Sequence, residues 1–168
     1  MQKTLIVIDM QNDFIDGSLG TAEAAAIVDN VKAKIDEYKA AGNEIIFTRD
    51  THCENYLDTP EGKKLPVVHC VKGTPGWEIS QMLCTEGCDI IDKPIFGWTK
   101  WNERSFEEIE LIGLCTDICV ISNALILKAF FPEAEITVDA SCCAGVTPET
   151  HNAALAAMKM CQINIIGE

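Results

Sequence analysis

With 168 residues, 48% of them hydrophobic and 23% charged, the chain can bury a sizeable core as one domain over residues 1–168. Its net charge of −13 disfavours nucleic acid and anionic membrane as partners, and no apolar run reaches the ~20 residues that span a bilayer. Nine cysteines, an odd number scattered through apolar segments, make no disulfide framework, and the short apolar stretch after Met1-Gln2-Lys3 is broken by Asp9 rather than extended into a signal peptide, so a soluble cytoplasmic protein is expected.

Residues 4–8 are a continuous apolar run with β-branched side chains, as in a strand buried on both faces. Asp9 closes it, and Met10-Gln11-Asn12-Asp13-Phe14 follows. Thr21 is placed to cap a helix over residues 22–41, with Ile27, Val28, Val31, Ile35 and Tyr38 on one stripe and Gly42 at its end. A second strand, 44–48, ends in Arg49-Asp50-Thr51-His52. Residues 53–76 form a long irregular segment rich in proline, glycine and possible ligands; segments this long in a compact domain are commonly functional. Residues 77–84 suit a short helix, and 89–91 a third strand followed by Asp92-Lys93-Pro94. Phe96, Trp98 and Trp101 lie in a loop over 95–104. The link from Lys93 to Ile109 serves a parallel crossover only if loop and crossover share it. A fourth strand, 109–113, runs into Gly113-Leu114-Cys115-Thr116-Asp117-Ile118-Cys119-Val120 and then a helical pattern over 121–130. A fifth strand, 135–138, ends in Asp139. Thr147-Pro148-Glu149 opens a helix to about residue 160, and 162–166 form a last strand. Strands alternating with helices give an α/β three-layer sandwich: a mainly parallel sheet of roughly six strands with helices on both faces.

Sites in such sheets lie at the carboxyl ends of the strands. Asp9 ends the first strand, Lys93 follows the third and Cys119 follows the fourth. A carboxylate, an ammonium and a thiol thus meet at one edge. Cys119 falls where a strand gives way to a helix, a place that biases a thiol toward thiolate. Asp9 can accept its proton, and Lys93 can stabilise the negative charge of both. A second group, Asp50, His52 and His69, offers two imidazoles and a carboxylate, a donor set suited to one divalent transition metal: Zn²⁺, with Fe²⁺ or Mn²⁺ as alternatives. Cys84-x-x-x-Cys88 and Cys142-Cys143 lack partners at metal or redox spacing, and His151 is expected at the surface.

These pieces, together with His69-Cys70-Val71-Lys72-Gly73-Thr74-Pro75-Gly76, resemble the isochorismatase-like cysteine hydrolase family, above all its nicotinamidases. The resemblance implies that Asp9, Lys93 and Cys119 are a catalytic triad. It also implies a cis peptide at Leu114–Cys115, with the backbone N–H groups of Cys115 and Cys119 as an oxyanion hole. It adds Glu61 to the metal ligands, because Pro60-Glu61 matches a subset of nicotinamidases, whereas Tyr56 stands where many members have another histidine. It implies Phe14 and Phe96, with Trp98, as substrate-binding aromatics; the segment before His69, Leu65-Pro66-Val67-Val68, lacks the aromatic many nicotinamidases have there. The expected function is a metal-dependent cysteine amidohydrolase converting nicotinamide to nicotinate and ammonia, acting as a homo-oligomer on a small amide in NAD salvage. Hydrolysis of another small amide, carbamoyl or ureido compound is the alternative within the family. A catalytically silent metal- or ligand-binding domain is the alternative outside it.

Overall fold

A computed structural model describes residues 3–168; the reading of Met1 and Gln2 as part of the chain start lies outside them. Six strands, β1 (Lys3–Ile8), β2 (Glu44–Asp50), β3 (Asp89–Lys93), β4 (Glu108–Leu114), β5 (Glu135–Ala144) and β6 (Asn164–Ile166), form one sheet in the order β3-β2-β1-β4-β5-β6. Every pairing is parallel. The apolar run of β1 alternates between two cores. Leu5 and Val7 pack on one face, with Val31 and Ile35 of α3 (Val28–Ala40). Ile6 and Ile8 pack on the other, with Leu127 of α5 (Ile121–Phe130) and Leu155 of α6 (Pro148–Met160). The shorter helices are α1 (Asn12–Ile15), α2 (Ala22–Ala26) and α4 (Pro60–Lys64). The strand order reverses between β1 and β4, and ligands bind in sheets of this kind in the crevice beyond that switch point.

Backbone proximity there is tight. Gly113 pairs with Ile8 at φ +114°, and a Cβ on it would lie 2.1 Å from the Ile8 carbonyl oxygen. No other residue fits between the exits of β1 and β4 without moving one of them.

The β3-to-β4 crossover contains only a single 3₁₀ turn, Trp101–Glu103. Trp101, fully buried, fills the face that a crossover helix would cover, and Phe106 packs edge-on to both Trp101 and Phe131. Loop and crossover share the short link by replacing a helix with aromatic volume.

Three elements differ from expectation. The helix over 22–41 is broken at Ile27 (ψ −10°) into α2 and α3, which lets the adjacent Ile27 and Val28 both be buried. Residues 77–84 are not a helix. Their backbone pairs with the β1 exit instead: Asn12 N–H donates to Glu78 O (3.0 Å), Ser80 N–H to Met10 O (3.0 Å), and Gln11 and Ile79 form an antiparallel bridge. Finally, β5 continues to Ala144 past Asp139. The partner of Leu111 is Val138 but the partner of Gly113 is Cys143, so β5 bulges, and Asp139 Oδ1 closes the bulge by accepting from Ser141 N–H (3.0 Å) and Oγ (2.6 Å).

Candidate active site and metal cluster

Asp9 follows β1 with φ +47° and is fully buried. Its N–H donates to Thr48 O of β2 (3.2 Å), and its Oδ1 accepts from Thr48 Oγ1 (2.6 Å). Its Oδ2 faces Lys93 Nζ at 2.5 Å. Lys93, the last residue of β3 and also fully buried, points Nζ 3.5 Å from Cys119 Sγ and donates to Ile95 O (3.3 Å). The carboxylate, ammonium and thiol from three strand ends are in direct contact.

Burial raises the Asp9 pKa above its ordinary value, with the nearby Asp50 adding to the effect, although the Lys93 ammonium opposes it. Burial pulls the other way on Lys93, but the Asp9 and Asp50 carboxylates outweigh it and hold it firmly protonated. The thiolate expected of Cys119 from its place at a helix start is not what forms. Cys119 sits inside a π-helical turn, Thr116–Val120, and is 4% exposed. Burial, then the Asp9 charge, push its thiol well above the ordinary value. Desolvation outweighs the helix end, so the resting group is a neutral thiol beside a carboxylate.

The peptide Leu114–Cys115 is cis. Two ties fix the turn that follows it: Asp117 accepts from Val146 N–H (3.1 and 3.2 Å), and Thr116 Oγ1 lies 2.7 Å from His151 Nδ1. His151 is therefore half-buried rather than at the surface, because α6 starts directly after β5 and lays its first turn along the nucleophile turn.

Beside this group, Asp50, His52, Glu61 and His69 bring four donor atoms within 4.8 Å of one another. His52 Nε2 lies 2.9 Å from Asp50 Oδ2 and 3.6 Å from Glu61 Oε1; His69 Nε2 lies 3.6 Å from Asp50 Oδ2. Donors about 2.0–2.2 Å from a metal stand roughly 3.0–3.6 Å apart, and these three separations match that range closely. His52 Nε2 and Asp50 Oδ1 are buried without a partner in hydrogen-bonding geometry among the described residues, an arrangement a cation would complete. His69 Nδ1 is 2.8 Å from Val67 O, which leaves Nε2 as the acceptor facing the cluster. Burial alone would raise the Asp50 pKa, but His52, His69 and Lys93 outweigh it and hold the carboxyl well below the usual carboxylate range. Asp50 joins the two groups: its Oδ1 is 3.9 Å from Lys93 Nζ.

Glu61 reaches the cluster from α4, whose cap Thr59 accepts from Gly62 N–H (3.0 Å) with Pro60 in the first helical position. This corrects the reading of 53–76 as irregular throughout: a 3₁₀ turn, Tyr56–Asp58, and α4 form within it, because Thr59 caps and Pro60 opens a helix inside the proline- and glycine-rich stretch. Tyr56 is no ligand. It is fully buried, packs tilted against His52 (4.6 Å) and edge-on to His69 (4.9 Å), and donates its hydroxyl to Leu65 O (2.9 Å).

A cavity of about 250 Å³ opens onto both groups. Cys115, Cys119, Asp50, Glu61 and His69 line it with Phe14, Phe96 and the aliphatic side chains of Leu19, Leu65, Ile118 and Val146. Burial pushes the Cys115 thiol up to about 12, so its sulfur stays neutral there. Trp98 is not among the lining residues. Its N–H donates to Asn123 Oδ1 (2.9 Å), and its ring packs against the second core. The cavity-lining aromatics are therefore Phe14 and Phe96.

Two residues at the site were given no role from sequence because they act mainly on backbone groups. Gln11 holds the ligand strand: its Oε1 accepts from Asp50 N–H (2.7 Å), while its Nε2 donates to Asp50 O and Trp77 O (both 2.8 Å). Asn123, four residues beyond Cys119, donates to Cys119 O (2.8 Å) and Phe96 O (3.1 Å) and accepts from Trp98 N–H and Trp101 Nε1 (both 2.9 Å).

The fold and the site define an α/β enzyme with a buried thiol held between carboxylate and ammonium at a sheet switch point. Residues 3–167 match the isochorismatase domain, and the chain belongs to the isochorismatase family. It is a hydrolase, and the nicotinamidases it is similar to act on amide C–N bonds. It is 27% identical to the nicotinamidase/pyrazinamidase of Mycobacterium tuberculosis, covering 98% of each chain. Among solved structures it superposes on a Pyrococcus horikoshii pyrazinamidase in complex with zinc with a TM-score of 0.86, 28% identity and full coverage of both chains. On a nicotinamidase/pyrazinamidase from Bacillus subtilis the TM-score is 0.85, at 26% identity, covering 99% of this chain and 100% of that one.

Proposed function

We propose that the protein is a metal-dependent cysteine amidohydrolase converting nicotinamide to nicotinate and ammonia. One observation carries this reading: a single cavity is lined both by Cys119 of the Asp9–Lys93–Cys119 contact group and by Asp50, Glu61 and His69 of the four-donor cluster. A small ring amide held there has its carbonyl at the thiol and its ring edge at the cluster.

Asp9 takes the proton of Cys119 as the sulfur attacks the carboxamide carbon. Its raised pKa makes it a stronger base than an ordinary carboxylate, while Lys93 offsets the negative charge retained by the pair. The backbone N–H groups of Cys115 and Cys119 receive the developing oxyanion. Asp9 returns the proton to departing ammonia and then serves as base for the water that cleaves the thioester. Asp50, His52, Glu61 and His69 would hold the metal ion, which when bound supplies a Lewis-acid site for a ring nitrogen and so orients the substrate. Zn²⁺ suits the donor set, with Fe²⁺ or Mn²⁺ as alternatives.

The aliphatic rim of Leu19, Leu65 and Val146 favours, as a second reading, another small amide with an apolar substituent. A silent binding domain is opposed by the direct contact among thiol, carboxylate and ammonium. Nine free cysteines support a reducing, cytoplasmic location, and self-association belongs to the same reading.

Ammonia release from nicotinamide, set against a panel of other amides and ureides, tests the proposal. Nicotinamide should be the best substrate. Turnover of the other compounds alone would transfer the same chemistry to a different amide, and turnover of none would remove the reading.

A further inference from the structure

The Cys84/Cys88 spacing carries no redox signature, but the fold adds a third group. Cys84 is exposed, and Lys39, in the last turn of α3, places Nζ 3.0 Å from Cys84 Sγ and 3.0 Å from Glu86 O. The chain between the two cysteines is a tight turn: Cys88 N–H donates to Thr85 O (3.1 Å), and Gly87 sits at φ +74°, as the third residue of a type II turn requires. That turn aims the Cys88 thiol at Glu86 O, 3.7 Å away. The ammonium holding Cys84 and the thiol of Cys88 thus converge on one carbonyl oxygen. The hydrogen bond from Lys39, then that from the Glu86 N–H, hold the Cys84 thiol below its ordinary value, whereas burial pushes Cys88 up. The buried Cys119 is the opposite case, a thiol raised well above its ordinary value. An exposed, ammonium-paired sulfur next to a neutral thiol is the arrangement of an attacking and a resolving cysteine.

We propose that Cys84, Cys88 and Lys39 form a hydroperoxide-oxidisable dithiol site at the start of β3, the end of the sheet opposite the nucleophile. The Cys84 thiolate attacks the terminal oxygen of a hydroperoxide; an S–O bond forms, the O–O bond breaks, and the alcohol or water leaves with a proton from solvent. The Cys88 sulfur then attacks Cys84 sulfur. An S–S bond forms, the S–O bond breaks, and hydroxide departs as water with the Cys88 proton. The two thiols lose two electrons and the hydroperoxide gains them.

The test treats the full chain with about one equivalent of hydrogen peroxide near neutral pH and follows intact mass and peptide maps. A mass loss of about 2 Da mapped to a Cys84–Cys88 disulfide is expected. Cys88→Ser should stop at a sulfenic acid on Cys84, trapped by a dione reagent. Lys39→Ala should slow Cys84 alkylation by about threefold or more, and Lys39→Arg should restore it. First oxidation at Cys53, Cys161 or Cys119, an unchanged alkylation rate in Lys39→Ala, or the same 2 Da loss in Cys88→Ser would each overturn the proposal; about 2 Da is the mass of the two hydrogens lost.

Discussion

Asp9 and Lys93 are both fully buried and in contact, so each makes the other tolerable. Removing one partner leaves an uncompensated buried charge, which costs about 3–5 kcal/mol, whereas replacing both with neutral groups of similar size costs much less. Lys93→Met should therefore lower unfolding free energy in urea by that amount, and Asp9→Asn/Lys93→Met should recover most of it. Neither variant should release ammonia from nicotinamide. Cys119→Ala should be inactive while unfolding near the parent, since it removes one small buried sulfur and no charge; an active Cys119→Ala protein would end the covalent mechanism. These three positions were legible in the sequence because each lies at or just beyond a strand's end, and strand ends converge in a parallel sheet. The protonation state was not. A helix start suggested thiolate, but burial decides, and burial is a property of the packed molecule rather than of residues 113–120.

At the scale of elements, the crossover from β3 to β4 is held by one amide. Asn123 satisfies two acceptors and two donors with a single side chain, joining the loop that carries Phe96 and Trp101 to the helix that follows Cys119. Asn123→Ala leaves the fully buried Trp101 Nε1 without its acceptor, at a cost of roughly 1–3 kcal/mol for that group alone. The released loop should also raise KM for nicotinamide more than it lowers kcat, because Phe96 lines the cavity while Cys119, Asp9 and Lys93 stay packed. Strands β1 to β4 could be read from apolar runs and α6 from its Thr147-Pro148 cap, whereas α1 and α4 were not read and the helix over 22–41 proved to be two. The bulge in β5 could not, because Asp139 and Ser141 bond locally and look like a turn. That bulge gives a pH signature. Burial works to raise the Asp139 pKa, but Ser141 and the Lys34 ammonium 3.0 Å away outweigh it and hold the carboxyl below its ordinary value. Its stabilising contribution is then present above the usual carboxylate pKa of about 3.9 and is lost as pH falls through the lower folded value. Asp139→Asn should be less stable than the parent at neutral pH, with the difference shrinking in denaturant titrations as pH drops below about 4.

The whole molecule is strongly acidic, at −13, and part of that charge is concentrated in one buried place. Asp50 and Glu61 face each other across two imidazoles, with their donor atoms within 4.8 Å, and Asp50 is 2% exposed. The four donors come from three separate segments: the end of β2, α4 and the stretch before Cys70. Residues 70–76 are already bonded to the exits of β1 and β2, through Cys70 N–H to Asp13 Oδ2 (2.8 Å), His52 N–H to Cys70 O (2.9 Å) and Asp13 N–H to Gly76 O (3.0 Å), so a cation at the centre of the four donors chiefly ties α4, through Glu61, to that frame. Binding to the native state alone stabilises it by RT ln(1 + [L]/Kd), about 2.7 kcal/mol at a hundredfold excess over Kd. Purified protein should accordingly carry about one transition metal per chain by elemental analysis. Removing it with a chelator should lower Tm and open α4, so that trypsin cuts at the exposed Lys63 and Lys64. Restoring Zn²⁺ should reverse both effects. Glu61→Gln should weaken this protection and His52→Ala should abolish it, since His52 bridges toward two of the other ligands and Glu61 lies near only one. A chelated protein with unchanged Tm and an uncut α4 would mean that the four side chains cluster through packing and mutual hydrogen bonding, with no resident ion.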